Sequence, residues 1–346
     1  MRHQKGFLIL ATVLLLAVLF SGCGKPKQEL NVYNWGDYID ESVLQDFEKQ
    51  HHVKVVYDTF TTNEDMYVKL KAGGGQYDVV IPSDYMIKRM IDEKMLEKLD
   101  MRQIPNYRLI GSFYKGLGYD PGNAYSVPYM WGTVGILYNK KQIGTAPDSW
   151  RILWDRKYAK QILMLDSQRD SIGITLKMLG FSLNSKDPAE LEQAKKALIE
   201  QKPLVLAYVV DEVKDKMIAA EAALAVVWSG DAVYCMRENP DLDYFIPKEG
   251  SNLWFDAMVI PKGSHQKKLA EQFINFMCDT GVALRNADYI GYASPQTEVI
   301  KKLPSSLTGN RSFYPRPEDL SHCEIFTDLG SMIKDFDRIW TEVKSQ

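Results

Sequence analysis

The sequence predicts an α/β protein with mostly parallel sheets, on three observations. Short apolar and β-branched runs alternate with amphipathic helical stretches along nearly the whole chain, the signature of strands returned to a sheet by helices. The length of 346 residues points to about two domains. Hydrophobic residues at 45% and charged residues at 25% are the balance of a globular chain with sizeable cores.

The first residues stand outside that alternation. Arg2 and Lys5 precede an almost unbroken apolar run, Gly6 to Phe20, and then come Ser21, Gly22 and Cys23. The run is shorter than the ~20 residues that span a bilayer, and its flanks fit an export signal rather than a retained anchor. Small residues directly before a cysteine look like a bacterial lipoprotein signal, although Phe20 stands where leucine is more usual. Residues 1–22 are therefore expected to be a signal peptide, Cys23 the lipidated end of the mature chain, and 23–29 a polar tether. The formal charge of −3 becomes about −5 once Arg2 and Lys5 leave with the leader. Neither value suggests a nucleic-acid partner.

With Cys23 lipidated, Cys235, Cys278 and Cys323 remain, an odd number that allows at most one intramolecular disulfide. Cys278, in "AEQFINFMCD", reads as a buried inert thiol. No CxxC or other metal-type spacing occurs, so neither metal nor cofactor is expected.

The elements follow in order. Leu30–Tyr33 is strand-like, and "DESVLQDFEKQ" sets Val43, Leu44 and Phe47 on one helical face behind a capping Asp40. "VKVVYDTF" alternates as a strand. A helix around Met66–Lys71 ends in Gly73-Gly74-Gly75, which reads as a C-cap and not a phosphate loop, because it follows a helix. Asp78–Ile81 is a strand stopped by Pro82, and a helix carrying Met86, Met90 and Ile91 comes next. Beyond residue 132, "GTVGILYN", "QILML", "LVLAYV", "LAVVW" and "DYFIP" read as strands. "DPAELEQAKKALIEQ" is a helix with proline in its first turn after Asp187. "SHQKKLAEQFINFM" is a helix capped by Ser264, and the last helix places Ile333, Phe336, Ile339, Trp340 and Val343 on one face.

Three tryptophan–aspartate pairs sit beside these strands: Trp35 with Asp37, Trp228 with Asp231, and Trp254 with Asp256. The first two follow a strand, and the third is expected just before one. Ser83-Asp84-Tyr85 also follows a strand. In open α/β sheets ligands bind beyond the carboxyl ends of the strands. A ring face attracts a cation, and a carboxylate adds a charge-assisted hydrogen bond to an ammonium. Such a set suits a flexible organic polycation, with rings for its alkyl stretches and carboxylates for its amines. Taken singly, each tryptophan reads more readily as core than as a ligand platform, and Asp37 or Asp231 at least as readily as a helix cap; the repetition of the pattern shifts the balance. Nucleophile elbow, zinc-protease helix, Walker loop and dinucleotide fingerprint are all missing, so no enzyme is predicted.

The segments "YNWGDYI", "YDVVIPSDY", "YSVPYMWGTVGILYN", "SWRILWD", "VVWSGDA", "LWFDAMVIP" and "IGYASP" resemble, in that order, segments of bacterial polyamine-binding proteins, the spermidine/putrescine-binding components of ABC importers. The resemblance runs from about Leu30 to the C-terminus. It implies a two-lobed periplasmic-binding-protein fold, type II-like, with crossing hinge strands and the ligand in the cleft between lobes. The first lobe would comprise 30–131 plus 257–302, and the second 132–256 plus 303–346. Trp35, Asp37, Tyr38, Ser83 and Tyr85 would line the cleft from the first lobe. Asp170, Trp228 and Trp254 would face them, with Asp256 and Tyr292 near the crossover. Asp170 and Asp256 would hold amines and the tryptophans would sandwich methylenes, while Phe255, pointing the other way along an extended chain, would be core.

Two positions depart from the family pattern. Ser167 stands where an acid is expected, with Asp166 adjacent, and Phe326 stands where the family has glutamine. Both remove polarity from the slot and bear on the choice between putrescine and spermidine. The leader pattern and the resemblance together give the expectation of an exported, lipid-anchored monomer, in the periplasm or on the outer face of the cytoplasmic membrane, that serves an ABC permease. A receptor of the same fold for another small cationic or polar solute, or a sensing role for the same cleft, is the competing expectation.

Overall fold

The computed structural model of the chain describes residues 28–73 and 76–346. The expected leader, Cys23 and most of the tether lie outside the described residues, as do Gly74 and Gly75. Nine strands are described: β1 Glu29–Trp35, β2 Lys54–Phe60, β3 Val79–Val80, β4 Ser126–Asn139, β5 Ile162–Leu165, β6 Val205–Val209, β7 Leu224–Trp228, β8 Leu242–Phe245 and β9 Leu253–Val259. They run in the order β2-β1-β3-β9-β4-β7-β5-β6, with β8 paired to β4.

The flanks are parallel, as the strand–helix alternation predicts: β1 pairs with β2 and β3, and β5 with β6 and β7. The centre is antiparallel because β4 and β9 enter it from the opposite direction. β4 is 14 residues long, buried throughout, and extends about 45 Å. Its first half, Ser126 to Thr133, pairs with β9, whereas Val134 to Asn139 pairs with β7 and β8. One strand thus serves both halves of a two-lobed α/β molecule.

Local sequence accounts for most helix boundaries. Asp40 accepts from Ser42 N at the start of Glu41–His51, whose Val43, Leu44 and Phe47 are buried. Asp187 does the same for Pro188–Gln201, accepting from Ala189 N. The last helix, Ile333–Ser345, buries Phe336, Ile339 and Val343. One cap differs from expectation. The helix after β9 starts at Lys267, and Gln266 takes the cap position without a side-chain bond. The Ser264 hydroxyl accepts from Gln266 N at 3.1 Å just ahead of the helix and donates to Asp78 Oδ1 at 2.7 Å across to the first parallel flank.

Cys235 and Cys278 are buried and Cys323 half-buried, all three as free thiols. Among the described residues no helix is long and apolar enough to cross a membrane.

Candidate ligand cleft

A cavity of about 420 Å³ opens where the strand ends of the two halves face one another. All twelve residues singled out from the sequence line it: Trp35, Asp37, Tyr38, Ser83, Tyr85, Ser167, Asp170, Trp228, Trp254, Asp256, Tyr292 and Phe326. Trp35 ends β1, and Asp37 and Tyr38 follow in the next turn. Ser83 precedes the helix Asp84–Asp92, which carries Tyr85. Ser167 and Asp170 open the helix Gln168–Leu179 after β5, and Trp228 ends β7. Trp254 and Asp256 lie inside β9 and not in front of it, because pairing with β4 extends that strand back to Leu253. The alternation of an extended chain then puts Phe255 on the opposite face. There it packs nearly parallel to Trp131, ring centroids 6.3 Å apart, as core.

Asp256 is 6% exposed. The Tyr38 hydroxyl donates to its Oδ2 at 2.8 Å, and its Oδ1 has no partner. Burial pushes the Asp256 carboxyl up to about 7, with the Ser83 and Tyr38 hydroxyls pulling the other way. Asp170 is equally buried, and burial again raises its carboxyl above the usual range. Its Oδ2 accepts from Ser167 Oγ at 2.8 Å and its Oδ1 from Asn252 Nδ2 at 3.3 Å. Both carboxylates are solvated only by neutral donors. A buried anion in that state is costly and favours capture of a cation.

The walls are aromatic and mutually braced. Trp254 meets Tyr292 edge to face at 5.3 Å, and Tyr292 meets Tyr38 in the same way at 5.4 Å. Trp35 is held by its Nε1, which donates to Ile81 O at 2.9 Å, whereas Trp254 Nε1 has no partner. Asn63 ties two further residues together, donating from Nδ2 to Ser83 Oγ and to Tyr85 Oη, each at 3.1 Å.

The two departures from the family pattern have structural consequences. Ser167 is a helix cap: its Oγ accepts from Asp170 N and donates to the Asp170 carboxylate. The neighbouring Asp166 does not replace the missing acid, since both of its oxygens accept from Lys344 Nζ at 2.7 Å. Phe326 is buried beneath the Arg169 guanidinium, 4.3 Å from the ring centre, and stands edge-on to Tyr85.

Several lining residues fell outside the twelve. Asp231, in the first turn of Ser229–Glu238, is pushed up to about 7 by burial, with Lys214 opposing. Its spacing from Trp228 was a visible signal. Asp84 is fully buried and works structurally, accepting from Phe255 N at 3.0 Å and Tyr85 N at 2.6 Å. Asp211, Asn252, Arg169 and Lys214 carried no sequence signal, because nothing local marks them as neighbours of the tryptophans. In all, nine acids line the cavity (Asp37, Glu64, Asp84, Asp166, Asp170, Asp211, Asp231, Asp256, Asp337) against two bases, Arg169 and Lys214. Among the described residues no group of three or more histidines, cysteines and acids is arranged to hold a metal ion.

Residues 42–307 match the family described as bacterial extracellular solute-binding protein. The spermidine/putrescine-binding periplasmic protein of Salmonella typhimurium is 32% identical over 339 residues, 97% of each chain. Among solved structures, the spermidine/putrescine ABC transporter substrate-binding protein PotD of Streptococcus pneumoniae is 41% identical, with a TM-score of 0.80 over 92% of this chain and 99% of that one. The Tp0655 (TpPotD) lipoprotein of Treponema pallidum is 29% identical, with a TM-score of 0.82 over 92% of this chain and all of that one. With a profile match over most of its length and a periplasmic-binding-protein fold shared with these structures, this chain belongs to the bacterial extracellular solute-binding proteins.

Proposed function

We propose that this protein is an extracytoplasmic receptor that captures spermidine or putrescine and delivers it to an ABC-type permease. One observation carries the reading. Two buried carboxylates without a basic partner, Asp256 and Asp170, share a cavity with Trp35, Trp228 and Trp254. Asp256 and Asp170 receive the amines. The tryptophans and Tyr292 cover the methylenes. Tyr38 orients Asp256, while Ser83, Tyr85, Ser167 and Phe326 shape the slot and Asp37 stands at its rim. The names of the relatives support the choice of ligand.

The first lobe comprises 30–131 plus 257–302 and the second 132–256 plus 303–346, a division supported by the change of partners along β4 after Thr133. Ligand-driven closure of the lobes is a population shift that presents the loaded form to the permease. Cys23 carries the lipid that holds a monomeric receptor at the outer face of the membrane, on the strength of the Ser21-Gly22-Cys23 pattern. The protein works by binding and release.

Isothermal titration of the leaderless, ligand-freed protein with putrescine and spermidine tests the reading. A stoichiometric heat is expected with at least one of them and none with sugars, amino acids or divalent metals. Silence with both polyamines sinks it.

A further inference from the structure

Lys214 brings an ammonium group of the protein itself into the cavity. It stands at the start of the helix Val213–Ile218, and its Nζ meets Asp37 Oδ2 at 2.9 Å, across 177 positions of sequence. The lysine side chain is only 16% exposed although its partner is 73% exposed, so the pair joins a largely buried base to an acid at the rim. Asp211 and Asp231 act on the same ammonium, and all four residues line the cavity. Asp211 also approaches the turn that carries Asp37: a Cβ on Gly36 would lie 3.4 Å from its Oδ2.

Five of the nine cavity acids therefore fall into two groups. Asp170 and Asp256 have no lysine or arginine within ion-pair distance among the described residues. Asp37 pairs with Lys214 Nζ at 2.9 Å, and Asp211 and Asp231 feel the same charge without an ion pair of their own among the described residues. A ligand with two ammonium groups finds Asp170 and Asp256 free. A third ammonium that turns to the second group meets Lys214 and either displaces it or is repelled by it. Volume does not make this distinction, since about 420 Å³ is ordinary for a small-molecule pocket, in the range of roughly 300–1,000 Å³.

We propose that Lys214 is a specificity-determining residue, a tethered ammonium that occupies the counter-charges a third ligand amine would use, so that the cavity favours a diamine over a triamine. The inference rests on the polyamine reading above and sharpens it. Loss of Lys214 also removes the bridge to Asp37, which weakens closure on either ligand alike, so the informative quantity is the ratio of the two affinities.

The test is titration of the ligand-freed protein with putrescine and spermidine in four forms: wild type, Lys214→Met, Lys214→Arg and Lys216→Met. The last removes the same charge two residues along, from a lysine that pairs with Glu221 and does not line the cavity. Lys214→Met is expected to shift the affinity ratio toward spermidine by about tenfold. Lys214→Arg and Lys216→Met are expected to keep the wild-type ratio. An unchanged ratio in Lys214→Met, or an equal shift in Lys216→Met, overturns the role of Lys214 while leaving polyamine binding intact. Failure of the wild type to bind either polyamine overturns the polyamine reading and this inference with it.

Discussion

The Tyr38 hydroxyl donates to Asp256 Oδ2 at 2.8 Å, joining residues 218 positions apart in the sequence. A neutral hydroxyl is a weak partner for a carboxylate this deeply buried, and Oδ1 has none. An arriving ammonium supplies the missing charge. Asp256→Asn keeps an acceptor for Tyr38 but removes that charge. We expect it to weaken polyamine binding by at least about thirtyfold, the lower end of ~2–5 kcal/mol for a buried charge partner. The ligand-free variant should melt no lower than wild type, since an uncompensated buried charge has been deleted. Titration and thermal unfolding check the two halves; undiminished affinity would remove Asp256 from the site.

Acidity sets the direction of a second effect. The Asp256 and Asp231 carboxyls lie at about 7 in the folded chain, above an ordinary value of 3.8. Between these values the folded protein holds protons that the unfolded chain releases. Ligand-free stability from these groups is therefore full below about pH 4 and is lost as pH rises through 7. The melting temperature of wild type relative to Asp256→Asn should fall across that window. Polyamine affinity should run the opposite way, rising from pH 5 to 8 as the carboxylates ionise. Binding near pH 6 should release protons, seen as a dependence of the titration heat on buffer ionisation enthalpy.

Gly132 lies under one wall of the cavity. A Cβ there would stand 2.5 Å from Ser229 Oγ and 2.6 Å from Trp254 Cζ2, closer than packed atoms tolerate. Gly132→Ala should push the Trp254 ring out of place, lowering stability by ~1–3 kcal/mol and polyamine affinity by about tenfold. Denaturant unfolding and titration are the readouts. Wild-type values in both would mean that the ring does not depend on this contact.

Asp84 is expected to matter for folding and not for the ligand. Its two oxygens accept from Phe255 N and Tyr85 N, pinning β9 to the helix Asp84–Asp92. Asp84→Ala leaves buried donors unsatisfied and should cost ~1–3 kcal/mol of stability. Asp84→Asn, which retains one acceptor oxygen, should lose less. Binding stoichiometry should stay the same in both, and a variant that folds as well as wild type yet fails to bind would contradict this assignment.

Most elements were legible in the sequence because their signals are local. Period-two and period-3.6 patterns, the caps Asp40 and Asp187 and the proline at Pro188 act within a turn or a strand. The cap assigned to Ser264 fell ahead of the helix: its hydroxyl accepts from Gln266 N while donating to Asp78, 186 positions away. The start of β9 was likewise misplaced: pairing with β4, and not local composition, makes Trp254 and Asp256 part of a strand. Lys214 could not be read at all. Its stretch carries no tryptophan, and its meeting with Asp37 is a product of the folded chain.

Sequence alone determined that this chain would build an α/β fold around strand ends rich in tryptophan and aspartate, because hydrophobic period and residue chemistry are written locally. Only the tertiary structure decided which of those acids remain without a cation and which one lysine already serves. Burial and Coulomb energy depend on distances between groups up to 218 positions apart, and folding alone sets those distances.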